Sequence, residues 1–240
     1  MITIAALLAE RQRAGDARVV RVLDAGLAWG ARASEYRDAL TGAMAEGLRV
    51  VLVELDLDIA LPPGTIEIDH HGARNAEPAA LRQVFDLLAL PASLWRRDMA
   101  LVAANDVGHV RGMQAMGASA EEMILIRARD RAAQGITAEE EAAGAAALAA
   151  MQVALDGSLI IVHLPHGRSA TVADPLALSG DLRDLLLFAP GSTQFFGSGA
   201  RIDRLDMAFP GGWRGGALPK YGFWGLSQPL SPSDVLMGLS

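Results

Sequence analysis

The stretch "TIEIDHHGAR" (65–74) places an aspartate and two adjacent histidines directly after a short run that contains β-branched residues. The whole chain of 240 residues has only five histidines. Taken alone, a histidine at such a position is more often a buried, hydrogen-bonded side chain than a ligand. The histidine pair therefore has to be interpreted together with the acidic residues that follow other apolar runs.

Three further apolar runs also end at an aspartate. They are "RVVRVL" (18–23), "VVLVEL" (50–55) and "MALVAAN" (99–105). Helical patterns at 33–47 and 78–90 alternate with these runs, which predicts an α/β fold with a parallel sheet and helices on both faces. The carboxyl ends of parallel strands lie at one edge of the sheet, so the aspartates are expected to meet there. The four aspartates are Asp24, Asp56, Asp69 and Asp106.

Such a convergence of carboxylates would need a neutralising cation. Two carboxylates about 4 Å apart repel by about 4 kcal/mol at an effective dielectric constant near 20. Divalent ions would remove this repulsion, and His70 and His71 would add imidazole ligands. Glu54 and Asp58 lie on the same side of the strand as Asp56 and either could replace it. Alternatively, each aspartate begins a turn or caps a helix, but four such positions with two histidines favour a metal site.

The second half of the chain predicts a separate domain. In "GITAEEEAAGAAALAAMQ" (135–152), Thr137 and Glu140 form a capping-box pattern, which predicts a linker helix over 136–153. The expected organisation is an N-terminal domain at 1–135, this linker helix, and a smaller α/β domain at 154–240. The run "SLIIVHL" (158–164) is predicted to be a strand of the smaller domain.

Composition limits the classes of function. The net charge of -7 argues against binding to duplex nucleic acid, which requires a basic surface. Cysteine is absent, so a metal would be held by oxygen and imidazole ligands. The apolar runs predict neither a signal peptide nor a transmembrane helix, and a cytoplasmic protein is expected.

These motifs resemble those of the DHH phosphoesterase superfamily, which includes RecJ-type exonucleases and oligoribonucleases and is named for the triplet found here as Asp69-His70-His71. "VLVELD" resembles its second acidic motif, with Asp56, and "IEIDHHG" resembles the third. "LVAANDVGH" resembles the fourth, with Asp106, and "LDAGLAWGA" (23–31) resembles the first but contributes only Asp24.

The resemblance implies a hydrolase that cleaves a phosphate ester with two divalent ions, manganese or magnesium. The implied metal ligands are Asp24, Asp56, Asp69, His70 and Asp106. Asp69, His70 and His71 would be the catalytic residues, with His71 bound to metal or in contact with the scissile phosphate. The implied substrate is a small nucleotide, a short oligonucleotide or another small phosphate ester.

The C-terminal stretch "FPGGWRGGALPKYGFWG" (209–225) resembles the glycine-rich substrate loop of the family, without its histidine. Glycine backbones and basic side chains suit phosphate binding. The alternative is a turn region whose aromatic residues pack in the core of the small domain. The residues predicted to bind substrate are His71, His109, Arg168, Gly211, Gly212, Arg214, Gly215, Gly216 and Lys220.

Two other functions stay open at this point. The incomplete first motif would also suit a catalytically inactive nucleotide- or phosphate-binding protein on the same scaffold. A phosphoanhydride hydrolase would use the same metal cluster. The apolar C-terminal tail (223–240) could pack on its own chain or in a homodimer.

Overall fold

The computed structural model describes residues 1–24 and 30–239. Residues 25–29, within the stretch that resembles the first acidic motif, lie outside the described residues. The chain divides into two compact units, an N-terminal unit (Met1–Val107) and a C-terminal unit (Gly108–Ser240). This division falls before residue 135, where the sequence predicts the first domain to end, and it makes the C-terminal unit the longer of the two.

The N-terminal unit combines helices with a short parallel pair of strands. Its helices are α1 (Ile2–Arg13), α2 (Arg37–Ala45), α3 (Ala80–Leu87) and the first part of α4 (Arg97–Ala115). Single 3₁₀ turns occur at Ala33–Tyr36, Gly72–Arg74 and Ala92–Leu94. The strands β1 (Val51–Val53) and β2 (Ile66–Ile68) pair in parallel, with Val51 opposite Ile66. The segments predicted at 33–47 and 78–90 are therefore largely helical.

The predicted four-strand sheet of the N-terminal unit is wrong in the residues that the structure describes. Residues 18–23 are not a strand, although Val19 is buried in the core. Residues 99–105 lie inside α4. A short apolar run fits a buried helix as well as a buried strand, and alanine, leucine and methionine favour the helix. Asp98, in the first turn of α4, adds a favourable interaction with the positive end of the helix dipole.

The core of the N-terminal unit anchors the segment that follows β2. Leu81, Val84 and Phe85 form the buried face of α3, and they pack in one cluster with Ile68 at the end of β2. Full burial of a leucine, valine or phenylalanine side chain contributes about 1.5–3 kcal/mol. This packing holds the end of β2, and hence Asp69 and His70, against α3.

The C-terminal unit is built on a mixed sheet. Its helices are α5 (Ala120–Ala133), α6 (Ala138–Ala149), α7 (Ala170–Leu178), α8 (Gly199–Ala208) and α9 (Pro232–Leu239). Its strands are β3 (Gln152–Ala154), β4 (Leu159–His163), β5 (Asp184–Ala189), β6 (Ser192–Ser198), β7 (Trp213–Gly215) and β8 (Tyr221–Leu226). Their order in the sheet is β3-β4-β5-β6-β8-β7, and only β4 and β5 pair in parallel.

Two sequence predictions for this unit are confirmed. β4 matches the strand predicted at 158–164, and α6 begins with the predicted capping box of Thr137 and Glu140. α6 packs against α7 and β4, so this helix contributes to the core of the C-terminal unit.

Helices cover both faces of the C-terminal sheet. Every residue of β5 is buried, and its side chains alternate between two apolar clusters. Leu185 and Leu187 face the cluster that includes residues of α6 and α7, whereas Leu186 and Phe188 face the residues of α8 and α9. The α/β class predicted from the sequence therefore holds, with a mixed sheet in place of a purely parallel one.

None of the described helices is both long and apolar enough to cross a membrane. The longest of them, α4, has 19 residues but includes four charged side chains, at 97, 98, 106 and 111.

Candidate metal centre

Adjacent ends of β1 and β2 bring an acid to the histidine pair. The backbone N–H of Glu54, directly after β1, donates a hydrogen bond to the carbonyl of Ile68 at 2.9 Å. Asp69 and His70 follow Ile68 along the chain. Because parallel strands end at the same edge, Glu54 lies beside His70 although 16 positions separate them in the sequence.

The imidazole of His70 is buried and lacks a hydrogen-bond partner. Its side chain is 6% exposed. Nδ1 lies 2.9 Å from Oε1 of Glu54, and Nε2 lies 3.6 Å from Oδ2 of Asp106. Neither ring nitrogen, nor Oε1 of Glu54, has a partner in hydrogen-bond geometry. Since an unsatisfied buried polar group costs about 1–3 kcal/mol, these atoms indicate a site that a ligand completes.

Asp69 organises the second histidine. Its Oδ1 accepts the backbone N–H groups of His70 and His71, at 2.7 and 3.0 Å. The same oxygen lies 2.8 Å from Nδ1 of His71. From α3, Gln83 donates to the carbonyl of Asp69 at 2.9 Å. These bonds fix the orientation of the His71 imidazole, whose side chain is 51% exposed.

The donor atoms fit a divalent cation. One ligand atom each from Glu54, Asp69, His70 and His71 lies within 4.8 Å of the others. Two donors that are both about 2.1 Å from an octahedral ion are about 3.0 Å apart. The 2.9 Å between Nδ1 of His70 and Oε1 of Glu54 matches that separation. A mixture of imidazole and carboxylate suits ions such as manganese, iron or zinc.

The electrostatics of this cluster favour positive charge. Contact with Glu54 raises the pKa of His70 despite its burial, and the charges of Asp106 and Asp69 act in the same direction. Burial raises the pKa of Asp106, and the negative charge of Glu54 adds to that effect. Burial opposes ionisation of Asp69, but hydrogen bonds from His71 and His70 outweigh it and lower the pKa of Asp69. A bound cation would stabilise all three carboxylates.

The backbone of Glu54 supports a functional interpretation. Its φ is 52°, in the left-handed region that residues other than glycine rarely adopt. Such conformations cost about 1–3 kcal/mol and occur preferentially at functional sites. With this backbone conformation, Oε1 of Glu54 lies 2.9 Å from Nδ1 of His70.

Of the predicted ligands, the structure brings Asp69, His70 and His71 together and places Asp106 beside His70. Asp24 and Asp56 are exposed and lie outside the cluster found among the described residues. Glu54, an alternative to Asp56 by strand periodicity, occupies the position next to His70. The reason is that β1 ends at Val53, so Glu54 is the first residue beyond the strand. Asp58, the other alternative, accepts hydrogen bonds from Ser34.

Asp106 and His109 do not share a helix face. Within α4, His109 has φ 52° and ψ −143°, which interrupts the helical geometry between the two residues. Asp106 belongs to the N-terminal unit and His109 to the C-terminal unit. Nε2 of His109 lies 3.1 Å from Oδ1 of Asp174, a residue of α7. A spacing of three residues predicts a shared face on a regular helix, and the break at His109 removes that regularity.

The basic residues predicted to bind phosphate have different surroundings. Nη1 of Arg214 lies 2.8 Å from Oδ1 of Asp203, so its guanidinium is paired with an acid of α8. Nε of Arg168 lies 3.5 Å from Oε1 of Glu140. Lys220 is exposed, and no carboxylate in the described ranges forms an ion pair with it. Lys220 thus keeps its charge available at the surface.

Close packing explains why two positions of the glycine-rich loop (209–225) are glycine. A Cβ atom on Gly212 would lie 2.6 Å from the carbonyl oxygen of Gly225, and one on Gly215 would lie 2.6 Å from the ring of Phe223. The ring of Trp224, 1% exposed, is part of the core. Gly211 and Gly216 have φ of 92° and 94°. The close approach of the Gly225 carbonyl and of the Phe223 ring is thus sufficient reason for Gly212 and Gly215, and phosphate binding by this loop stays a prediction.

No protein-family model and no curated protein matches the chain. Among solved structures, the chain is similar to RecJ of Thermus thermophilus in complex with Mn²⁺, with 17% identity and a TM-score of 0.41. This alignment covers 86% of the chain but 42% of that protein, so the chain spans less than half of its length. A second similar structure, exonuclease RecJ bound to manganese, has 14% identity, a TM-score of 0.33, and coverage of 84% of the chain and 70% of that protein. Likenesses this distant carry no argument about activity.

Proposed function

We propose that the protein is a metal-dependent hydrolase of phosphate esters, with manganese or magnesium bound by Glu54, Asp69, His70 and His71. One observation carries the proposal: His70 and Glu54 bury three polar atoms without hydrogen-bond partners beside two further ligand groups. The resemblance of "IEIDHHG" (66–72) to a DHH motif supports the same chemistry. Divalent ions at such a site supply water activation and charge neutralisation on a phosphate.

The protein residues have distinct roles in this proposal. Glu54 and His70, whose side chains are 15% and 6% exposed, would hold the ion. Asp69 accepts the Nδ1 proton of His71 and thereby directs Nε2 away from itself. The half-exposed His71 is then placed to bind metal, or to donate a hydrogen bond to a phosphate oxygen. Asp106 would bind a second ion, and the resemblance alone supports Asp24 and Asp56 as additional ligands.

The proposed substrate is a small nucleotide, a short oligonucleotide or another small phosphate ester. The net charge of -7 disfavours long nucleic acid, because a basic surface supplies most of that affinity. His109, Arg168, Lys220 and the glycine-rich loop remain proposed substrate contacts, and a homodimer remains an expectation.

Metal analysis provides the first test. Protein purified without chelators should contain manganese or a similar ion, and Glu54→Gln and His70→Gln should each lose it. Asp86→Asn and His163→Gln are matched controls, because both residues are exposed and outside the cluster. Metal-free wild-type protein that stays metal-free after incubation with manganese would refute the site.

Activity provides the second test. Manganese-loaded protein should hydrolyse at least one member of a panel of phosphodiesters and phosphomonoesters, and Asp69→Asn should abolish the reaction. If His71 transfers a proton and does not bind metal, His71→Asn should retain metal and lower turnover by a factor of about 10²–10⁴. If His71 is a ligand, the same variant should also lose metal. Loaded protein that hydrolyses nothing on the panel would contradict the proposed reaction but not the metal site.

The exposed position of Asp56, together with the single acid of the first motif, favours one alternative. It is a catalytically inactive protein that binds a nucleotide or phosphate. Such a protein would gain thermal stability with nucleotide and show no turnover. A phosphoanhydride hydrolase would use the same residues, so pyrophosphate belongs on the substrate panel.

A further inference from the structure

An open surface pocket of about 660 Å³ lies on the C-terminal unit, at the edge where β4 and β5 begin and β6 ends. It is lined mainly by charged and hydroxyl side chains, including Ser158, Arg183, Asp184, Ser198, Arg201 and Arg204. Cavities of 300–1,000 Å³ are typical of small-molecule sites. None of these residues belongs to the motifs that suggested the metal centre, so this cavity, the α8 pocket, is a separate feature.

Guanidinium groups dominate the charge of the α8 pocket. Three arginines line it, whereas Asp184 is the only acid among the described residues of the lining. Arg201 donates to Oδ2 of Asp184 at 2.7 Å and to Oγ of Ser158 at 2.9 Å. Arg183 is held by Asp181, two residues away, at 2.6 Å. A guanidinium has five N–H donors, so these contacts orient Arg183 and Arg201 and leave donors for a further acceptor.

The orientation of Asp184 depends on Gly197. A Cβ atom at position 197 would lie 2.4 Å from Cγ of Asp184. Without it, Oδ1 of Asp184 accepts the backbone N–H of Ser198 at 3.1 Å, while Oδ2 binds Arg201. One buried carboxylate thus fixes both the arginine and the start of α8. The pocket is consequently organised before any ligand arrives.

The amino end of α8 adds to the positive potential of the pocket. Ser198 precedes the helix without capping it through its side chain, and the first turn contains no acidic residue. Arg201 instead lies in this turn, where its charge and the helix dipole have the same sign. The carboxylate of Asp184, which binds both Arg201 and the N–H of Ser198, is one anion that compensates this arrangement.

Further cations lie next to this edge. Tyr221 pairs with Ser198 across β6 and β8, and the carbonyl of the preceding residue, Lys220, accepts the N–H of Gly199. Arg111 stacks over the ring of Tyr221, with 3.9 Å between Cζ and the ring centroid. Within the described part of the chain, no carboxylate forms an ion pair with Lys220 or Arg111. The edge therefore has more positive than negative charge, in a protein whose net charge is -7.

We propose that the α8 pocket binds a phosphate group, either as inorganic phosphate or as the phosphoryl group of a small ester. Arg183 and Arg201 provide charge-assisted hydrogen bonds, and the backbone N–H groups of Ala200 and Arg201 provide neutral ones. The N–H groups of Ser198 and Gly199 already donate to Asp184 and Lys220. This inference does not rest on the proposed function, because it uses neither the metal centre nor its residues.

Binding should be measured with chelator present, so that a metal centre makes no contribution. Titration calorimetry with inorganic phosphate and with phenyl phosphate, at constant ionic strength, should show saturable binding. Arg183→Gln and Arg201→Gln should each weaken it by about tenfold or more, the effect of losing a charge-assisted hydrogen bond. Arg183→Gln should disturb the fold less than Arg201→Gln, because the side chain of Arg183 forms hydrogen bonds with Asp181, only two residues away.

Arg129→Gln is the matched control, since Arg129 is an exposed arginine on α5. It should bind phosphate as the wild type does, and so should Glu54→Gln. Binding of inorganic phosphate alone would identify a free-phosphate site, and binding of both probes would identify a phosphoryl site. No saturable binding of either probe, or equal affinity in Arg183→Gln, Arg201→Gln and the wild type, would overturn the proposal.

Discussion

The two units each bury carboxylate charge, but they satisfy it differently. In the C-terminal unit, the fully buried Asp174 binds Arg127 at 2.9 Å, Arg131 at 2.7 Å and His109 at 3.1 Å. In the N-terminal unit, Glu54 and His70 face each other without hydrogen-bond geometry. Burial of charge is therefore common to a structural cluster and to a candidate binding site. The candidate binding site differs from the structural cluster because it contains buried polar atoms without hydrogen-bond partners.

The largest expected effect comes from breaking the satisfied cluster. Asp174→Asn should lower the free energy of unfolding by about 3 kcal/mol or more, because it removes the buried carboxylate charge that Arg127 and Arg131 both bind. Urea unfolding at neutral pH measures this loss. Asp86→Asn, which removes an exposed partner of Arg82, should change stability by less than about 0.5 kcal/mol. A similar small change in Asp174→Asn would show that the Asp174 cluster is not structural.

Added manganese should stabilise the protein through the N-terminal cluster that contains Glu54 and His70. Manganese at a hundredfold excess over its dissociation constant should stabilise the wild type by about 2.7 kcal/mol, and chelation should reverse the effect. Manganese should raise the free energy of unfolding of Asp174→Asn by the same amount, although that variant is less stable than the wild type without metal. Thermal unfolding with and without chelator measures both. An equal increment in Glu54→Gln would contradict the assignment of that residue as a ligand.

Acid should remove the contribution of Asp174. Burial opposes its ionisation, but His109 and Arg127 outweigh that effect and lower its pKa below the ordinary value of 3.8. A depressed pKa in the folded state means that the stabilisation is complete above the unfolded value and is lost as pH falls through the folded value. The stability difference between the wild type and Asp174→Asn should therefore narrow as the pH falls below about 4. Its slope should not exceed about 1.4 kcal/mol per pH unit. A difference that stays constant down to about pH 2 would contradict this pairing.

The smallest expected effect is a gain in stability, caused by removing the charge of Glu54 when no metal is present. In chelator at mildly alkaline pH, Glu54→Gln should raise the free energy of unfolding by no more than about 0.5 kcal/mol, because it removes a charge that repels Asp106, whose side chain is 39% exposed. Glu67→Gln, in the neighbouring strand and paired with Arg74, is the matched control and should not stabilise the protein. Loss of stability in Glu54→Gln would mean that Glu54 is a structural partner of His70, comparable to the arginines around Asp174.

Much of the local structure was predictable from short-range patterns. The capping box at Thr137 and the strand at 158–164 depend on neighbouring residues, and both are confirmed. The run at 99–105 was predicted as a strand and is helical, because a run of that length does not distinguish the two. Asp106 nevertheless lies near His70, because it is a residue of the helix α4 and does not follow a strand.

The candidate site was predictable only in part. Asp69, His70 and His71 are consecutive, so any fold that ends β2 at Ile68 brings them together. Choosing Glu54 over Asp56 required the true end of β1, which periodicity leaves uncertain by a residue or two. No sequence motif indicates the α8 pocket, because Arg183 lies in a different segment from Arg201 and Arg204 of α8.

The sequence by itself determined the α/β class, the capped α6 and the presence of adjacent imidazoles after a strand, because each depends on contacts within a few residues. Only the tertiary structure decided that Glu54 faces His70, that Arg127 and Arg131 neutralise Asp174, and that Arg183 and Arg201 share a cavity. The physical reason is that these contacts join residues distant in sequence. Their partners depend on where strands end and helices cross, and local periodicity does not encode that information.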